Sequence, residues 1–418
     1  MREQMTEAAR MYADPDVPVP VKGFNRMMRT RARRVWPLEP EAIKAAARRK
    51  ARLDDFGAAV SLDEPLGVLC HSMNTQLDLA PVGRLALQDR LVMDLVIRLR
   101  LEELADRHPE AFERPVERPV FIVGMPRSGT TVLHRMISRD PQVRATPWWE
   151  LQEPLPAYGE PDAGAARRRR AGARLLRFAR WISPEFDLRH ENDNDDADED
   201  VFLLAPWHAS AIYEYRAPGP DYIEWYSSAD HTPGFREYRR LIQAMNHVRP
   251  GGERWVAKAP SHCEMLKPLL TVFPDATIVQ THRDPVGSVV SFASLIATAA
   301  RGAYARPDPY AIGQRVADNI ERSLRAVVRD RGPDDARFVD VYLRDFVDDQ
   351  LEQVRRVYKT AGMDLTDEAE AAMLAYLEGE QPKLGRHKPA AADFGLDEGE
   401  LRERFAFYYE RFDVLRQG

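Results

Sequence analysis

The sequence predicts an α/β fold, a central and mostly parallel β-sheet flanked by helices, with a helical N-terminal extension in front of it. Two observations carry this. A short apolar run, Val120 to Val123, leads into a tight glycine-bearing turn, and Val132, Leu133, Met136 and Ile137 then follow at helical spacing. A second alternation of the same kind starts at Trp255-Val-Ala, continues through a helical pattern of Met265, Leu266, Leu269, Leu270 and Phe273, and reaches the strand Thr277 to Thr281 and a helix from Pro285. Repeated strand–helix units need crossover connections, and these build parallel sheets with both faces covered.

Taken in order, the first hundred or so residues read as helical. Leu91, Val92, Leu95, Val96 and Leu99 form one apolar stripe, with Arg, Asp and Glu on the other faces. Pro109, Pro115 and Pro119 break that pattern and mark a connector, which divides the chain into a helical extension, 1–115, and a main domain, 116–418. Within the main domain, 146–250 reads as a helical insertion on the side where a second substrate would enter. It holds a basic amphipathic segment from Arg167–Arg170 to Trp181, then an acidic run from Glu191 to Asp200. A solvated helix followed by a polar loop is the plainer reading of these runs, and a lid over a substrate is the sharper one. Phe338 to Leu343 is a further strand, and Leu401, Phe405, Tyr408 and Phe412 mark a C-terminal amphipathic helix.

The 418 residues suffice for a large core without disulfides or metal staples. Cys70 and Cys263, the two cysteines, make neither a disulfide framework nor a zinc site, and no metal is expected. The first residues lack an apolar core behind a basic cluster, so the expected location is cytoplasmic, with no transmembrane segment. A net charge of -6 argues against a general nucleic-acid binder.

The chemistry concentrates in Val123-Gly-Met-Pro-Arg-Ser-Gly-Thr-Thr131. A strand, a turn and a helix N-terminus put several backbone N–H groups at one end of a helix dipole, which suits an anion. Gly129 permits close backbone approach, Ser128, Thr130 and Thr131 offer hydroxyls, and Arg127 adds a permanent charge with two-pronged geometry. The turn is P-loop-like, but Thr130 stands where a nucleotide hydrolase carries its lysine. His282-Arg283-Asp284 fails as a kinase catalytic loop because Val289 occupies the asparagine position. Instead, Asp284 and Pro285 read as N-cap and first residue of a helix, and Ser291 lies two turns along, where an extended Arg283 would meet it around a second phosphate.

Together these motifs resemble the sulfotransferases that use 3′-phosphoadenosine 5′-phosphosulfate (PAPS), in the bacterial branch related to the tyrosylprotein and carbohydrate enzymes. Lys258-Ala-Pro-Ser-His262, Thr281-His-Arg-Asp-Pro285 and the tail with Gly385-Arg-His-Lys388 are similar to that branch as well. The resemblance implies that Pro126, Arg127, Ser128, Gly129, Thr130 and Thr131 hold the 5′-phosphosulfate, that Arg283 and Ser291 hold the 3′-phosphate, and that Arg386, His387 and Lys388 close over it. It also implies a catalytic glutamate about 20 residues past the loop arginine. Glu150 is the match, Glu153 its neighbour, and His262 the second choice of base, although Ser261 and Glu264 have the spacing of a capping box. Lys258 then joins Arg127 in neutralising the transferred group. The acceptor would be a hydroxyl on a small molecule, carbohydrate or lipid. A P-loop kinase or nucleotide hydrolase and a catalytically silent nucleotide-binding scaffold are the rival readings.

Overall fold

Strand β1 (Val120–Gly124) shows how the sequence sets the layers: Val120 and Ile122 point to one face of the sheet, Phe121 and Val123 to the other, and all are buried. The computed structural model describes residues 5–14, 16–187, 192–379 and 389–415. Four more strands join β1: β2 (Val143–Arg144), β3 (Arg254–Lys258), β4 (Thr277–His282) and β5 (Phe338–Tyr342). Every pairing is parallel, in the order β2-β3-β1-β4-β5. The architecture is therefore the predicted parallel α/β sheet flanked by helices. β2 was not predicted, because two residues are too short to show an alternation.

One face packs Val120, Ile122, Val256, Val279, Val339 and Val341 against the helices Thr130–Ile137, Gln350–Ala361 and Asp367–Gly379. The other face shares a larger core with the N-terminal helices: Phe121, Ala257 and Ile278 lie in one cluster with Leu87, Leu91 and Leu95 of the helix Pro81–Arg107. That helix departs from its predicted single stripe. Arg84, Arg90, Asp94 and Arg98 are buried along with its leucines. Hydrogen bonds offset much of the cost: Arg90 Nε donates to Asp94 at 2.8 Å, Arg84 Nε to the Trp36 carbonyl at 2.8 Å, and Arg98 to the carbonyls of Phe56 and Val60 at 2.9 and 2.8 Å.

The helix Pro285–Ala303 is long and apolar enough, by length and composition, to cross a membrane, which the sequence reading did not anticipate. It is mostly buried, packed against the helices Pro309–Asp330 and Pro81–Arg107, as a core helix is. The predicted C-terminal helix is instead two short ones, Glu398–Arg404 and Ala406–Arg411. The break at Phe405 buries that ring while Tyr408 reaches His282 Nδ1 at 2.7 Å.

Strand order decides where a ligand fits. β1 lies between β3 and β4, so the chain leaves it at the point where successive crossovers diverge to opposite sides, and the segments after β1, β3 and β4 converge at the same edge.

Candidate active site

The turn after β1 is shaped by what cannot fit there. At Gly124 (φ +139°) a Cβ would come within 2.1 Å of Thr281 Oγ1 and 2.6 Å of its carbonyl oxygen, so β1 and β4 approach too closely for any side chain. Gly124→Ala should therefore destabilise the fold by about 1–3 kcal/mol in denaturant unfolding. Gly129 (φ +91°) occupies the N-cap of the helix Thr130–Ile137, and Arg127 is itself left-handed at φ +70°. A non-glycine residue in that region stores strain, and such strain concentrates at ligand-binding turns.

Ser128 was expected to offer its hydroxyl to the ligand. Its Oγ instead donates to the Met125 carbonyl at 2.6 Å and lies 2.5 Å from Thr281 Oγ1, closing the base of the loop. Thr131 and Gly129 stay partly accessible, and Thr130 is buried.

The two predicted anion grips meet. Arg283 Nη1 donates to the carbonyl oxygen of Arg127 at 2.8 Å, and Arg127 Nε donates to Ser291 Oγ at 3.2 Å. Asp284 caps the following helix by accepting from the Val286 N–H at 3.0 Å, so Arg283 is fixed at the end of β4 and Ser291 on the helix beside it. Burial, then the neighbouring charge of Arg283, lower the pKa of Arg127, with Glu199 opposing them. Two guanidiniums so close together concentrate positive charge at this end of the loop.

The ammonium absent from the loop comes from the adjacent strand. Lys258, at the end of β3 and fully buried, donates from Nζ to Thr131 Oγ1 at 3.3 Å and pairs with Glu199 Oε1 at 2.8 Å. These donors suit a terminal phosphate or sulfate with no lysine in the loop.

A sequence model of the sulfotransferase family matches residues 119–367. This chain belongs to the sulfotransferase family. Sulfotransferase STF9 from Mycobacterium avium has a similar structure, with TM-score 0.79 and 25% identity over 90% of this chain and 97% of that one. Sulfotransferase STF1 from Mycobacterium tuberculosis H37Rv is similar at TM-score 0.76 and 30% identity, over 88% of this chain and 98% of that one. No curated protein matches in sequence.

Two of the expected catalytic groups in this sulfotransferase are bonded to residues other than those of the cluster just described. Glu150 is 1% exposed, with Oε1 accepting from Arg144 at 2.8 Å and Oε2 from Arg249. Burial raises its pKa, but the two guanidiniums outweigh that and hold it below the usual carboxylate range. Glu153 is likewise tied to Arg100 and Arg167, at 2.6 and 2.7 Å. His262 is fully buried, with Nε2 3.0 Å from Asp200 Oδ2 and its ring edge-on to Phe121. The Ser261/Glu264 capping box does not form; Ala259 is the cap of the turn Pro260–Cys263, and Glu264 pairs with Arg322 at 2.8 Å. Arg386, His387 and Lys388 lie outside the described residues.

A carboxylate that does reach the cluster among the described residues is Glu199, which the sequence places inside the acidic run. From Asn194 to Asp200 that run is tied to the fold by backbone hydrogen bonds rather than standing as a solvated loop. Its backbone bonds to the 146–149 segment through Trp148 N to the Asp196 carbonyl (3.0 Å) and Asp198 N to the Thr146 carbonyl (3.2 Å), with an antiparallel bridge between Pro147 and Ala197. Asp200 N then donates to the Lys258 carbonyl at 3.1 Å, and the Asp200 carboxylate is held by His262 and Tyr238. Glu199 is thereby delivered to Lys258. The signal in the sequence was slight: an Asp-Glu-Asp triplet directly before the apolar run Val201 to Ala205.

Among the described residues, His108, Glu110 and His247 could hold a metal ion, their ligand atoms lying within 4.8 Å of one another. They sit just after the helices that precede β1 or at the end of the one that precedes β3, outside the loop cluster. Of the aromatics between β2 and β3, Trp148, Trp149, Trp207, Tyr213 and Tyr226 are buried, while Tyr215 and Trp225 are partly exposed.

Proposed function

We propose that this sulfotransferase moves the sulfuryl group of PAPS to a hydroxyl of a small-molecule, carbohydrate or lipid acceptor. The observation that carries the reading is the direct contact of the two anion grips, Arg283 on the Arg127 carbonyl and Arg127 on Ser291. A nucleotide hydrolase needs one phosphate cradle with a lysine in it. A donor with phosphate at both the 3′ and 5′ positions needs two.

In this proposal the loop N–H groups, Thr130 and Thr131 hold the 5′ end, and Arg283 and Ser291 hold the 3′-phosphate. The tail basic residues Arg386, His387 and Lys388 belong to the same assignment. Glu199 takes the proton of the acceptor hydroxyl as the new oxygen–sulfur bond forms and the bond to the 5′-phosphate oxygen breaks. Arg127 and Lys258 neutralise the charge gathering on the transferred group and the departing phosphate. The Glu199–Lys258 pair favours this assignment of the base over Glu150, whose oxygens are both occupied by arginines. His262 acts by fixing Asp200, the next residue along from the base. The extension 1–115 and the domain 116–418, with 146–250 on the acceptor side, form part of the same proposal. So does a cytoplasmic site of action, which suits two buried free cysteines.

Arg283→Ala tests the second grip. It should weaken binding of 3′-phosphoadenosine 5′-phosphate by on the order of 1.5–3 kcal/mol, roughly 10- to 150-fold, measured by calorimetry. An unchanged affinity would show that Arg283 does not hold the 3′-phosphate.

A further inference from the structure

Exposed apolar residues are concentrated where positive charge is densest. On the helix Ala165–Ile182, Leu175, Phe178 and Trp181 are 47%, 44% and 45% exposed and recur every third residue, while Arg168, Gly172 and Leu176 form its buried side. The Phe178 and Trp181 rings lie together, with centroids 5.9 Å apart. Arg170, Arg174 and Arg177 are exposed around them, and none of the three makes an ion pair among the described residues. Arg169 is paired with Asp195 at 2.8 Å.

The end of this helix meets a second element of the same character. Ile182 packs against the cluster of Val17, Val21, Ala80 and Val82, against which Phe24 also packs, and this brings the helix Val19–Met28 beside it. That helix exposes Val19 (80%) and Met27 (62%), and with the turn and the short helix Ala32–Val35 after it carries exposed Arg26, Arg29, Arg31, Arg33 and Arg34. Lys22 is paired with Asp16 at 3.0 Å. On a chain of net charge -6 such a surface is a local asymmetry, not a consequence of composition.

We propose that this surface docks the protein peripherally on an anionic lipid bilayer. Arginines would lie at the phosphate level, and Leu175, Phe178, Trp181 and Met27 would enter the boundary between headgroups and acyl chains. Charge complementarity alone would also suit a polynucleotide or an acidic protein. Large aliphatic and aromatic side chains interleaved with those arginines favour the bilayer, which has an apolar layer just beneath its charge. The inference does not depend on sulfuryl transfer.

Co-sedimentation of the full chain with vesicles of equimolar phosphatidylcholine and phosphatidylglycerol tests it. The protein should bind these vesicles, less so at high salt, and should not bind phosphatidylcholine alone. Phe178→Ser with Trp181→Ser, and separately Arg170→Glu with Arg174→Glu and Arg177→Glu, should each lower partitioning by at least about tenfold. Both sets are exposed, so unfolding midpoints should stay unchanged. Absence of binding, equal binding to neutral vesicles, or binding insensitive to the Phe178 and Trp181 changes would overturn the proposal. Equal loss of polynucleotide and vesicle binding in the arginine variant, with no effect of the apolar one, would show a surface that recognises charge alone.

Discussion

Glu199→Gln should lower kcat by about 10²- to 10⁴-fold, the range lost with a positioned general base, without weakening affinity for 3′-phosphoadenosine 5′-phosphate. The substitution keeps the size of the side chain and a hydrogen-bond acceptor for Lys258, 2.8 Å away, but removes its capacity to take a proton. Turnover against binding is the informative comparison. If Glu199 only holds Lys258 in place, the glutamine variant keeps most of that contact and loses little rate. Single-turnover measurements with labelled donor separate the two outcomes. Full activity in the variant would remove Glu199 from the mechanism.

Glu150→Ala should instead act on the fold, destabilising it by about 3–5 kcal/mol, because Arg144 is left buried with its ion-pair partner gone and Arg249 loses the same carboxylate. Arg249 also lies over the Trp149 ring at 5.5 Å, and Arg168 over the same ring at 4.9 Å. Since the pKa of Glu150 is lowered in the fold, its contribution is present above the usual carboxylate range and is lost as pH falls through the lowered value. Denaturant midpoints for the wild type and Glu150→Ala, compared at neutral and acidic pH, should converge as the pH drops. An alanine variant of normal stability and no activity would reverse the roles assigned here to Glu150 and Glu199.

The contrast between these two glutamates shows what the sequence could convey. The loop was legible because its demands are local: positive φ at Gly129, no room for a Cβ at Gly124, and a helix that starts at once. Arg283 and Ser291 were legible because a capped helix fixes their separation. The parallel sheet followed from periodicity in β1, β3 and β4, while β2 was too short to leave a pattern. Glu150 was chosen by its distance from the loop along the chain, and nothing at that spacing reveals Arg249, 99 residues away, which neutralises it. Glu199 was hidden in a run whose composition reads as solvated. Its position is set by backbone bonds to Thr146, Trp148 and Lys258, which are tertiary and leave no periodic trace.

The basic helix Ala165–Ile182 was read correctly as amphipathic, but its apolar side is partly outward. It lies on Trp149 at Gly172, where a Cβ would come within 2.9 Å of the Trp149 Cβ, with Arg168 and Leu176 buried one turn to either side.

The central claim is a cradle for two phosphates in place of a nucleoside triphosphate site, and one titration addresses it most directly. Calorimetry of the purified protein against 3′-phosphoadenosine 5′-phosphate without metal, and against ATP with Mg²⁺, should show tighter binding of the 3′-phosphorylated nucleotide. Tighter binding of ATP with Mg²⁺ would contradict the account and return the loop to the nucleotide hydrolases and kinases.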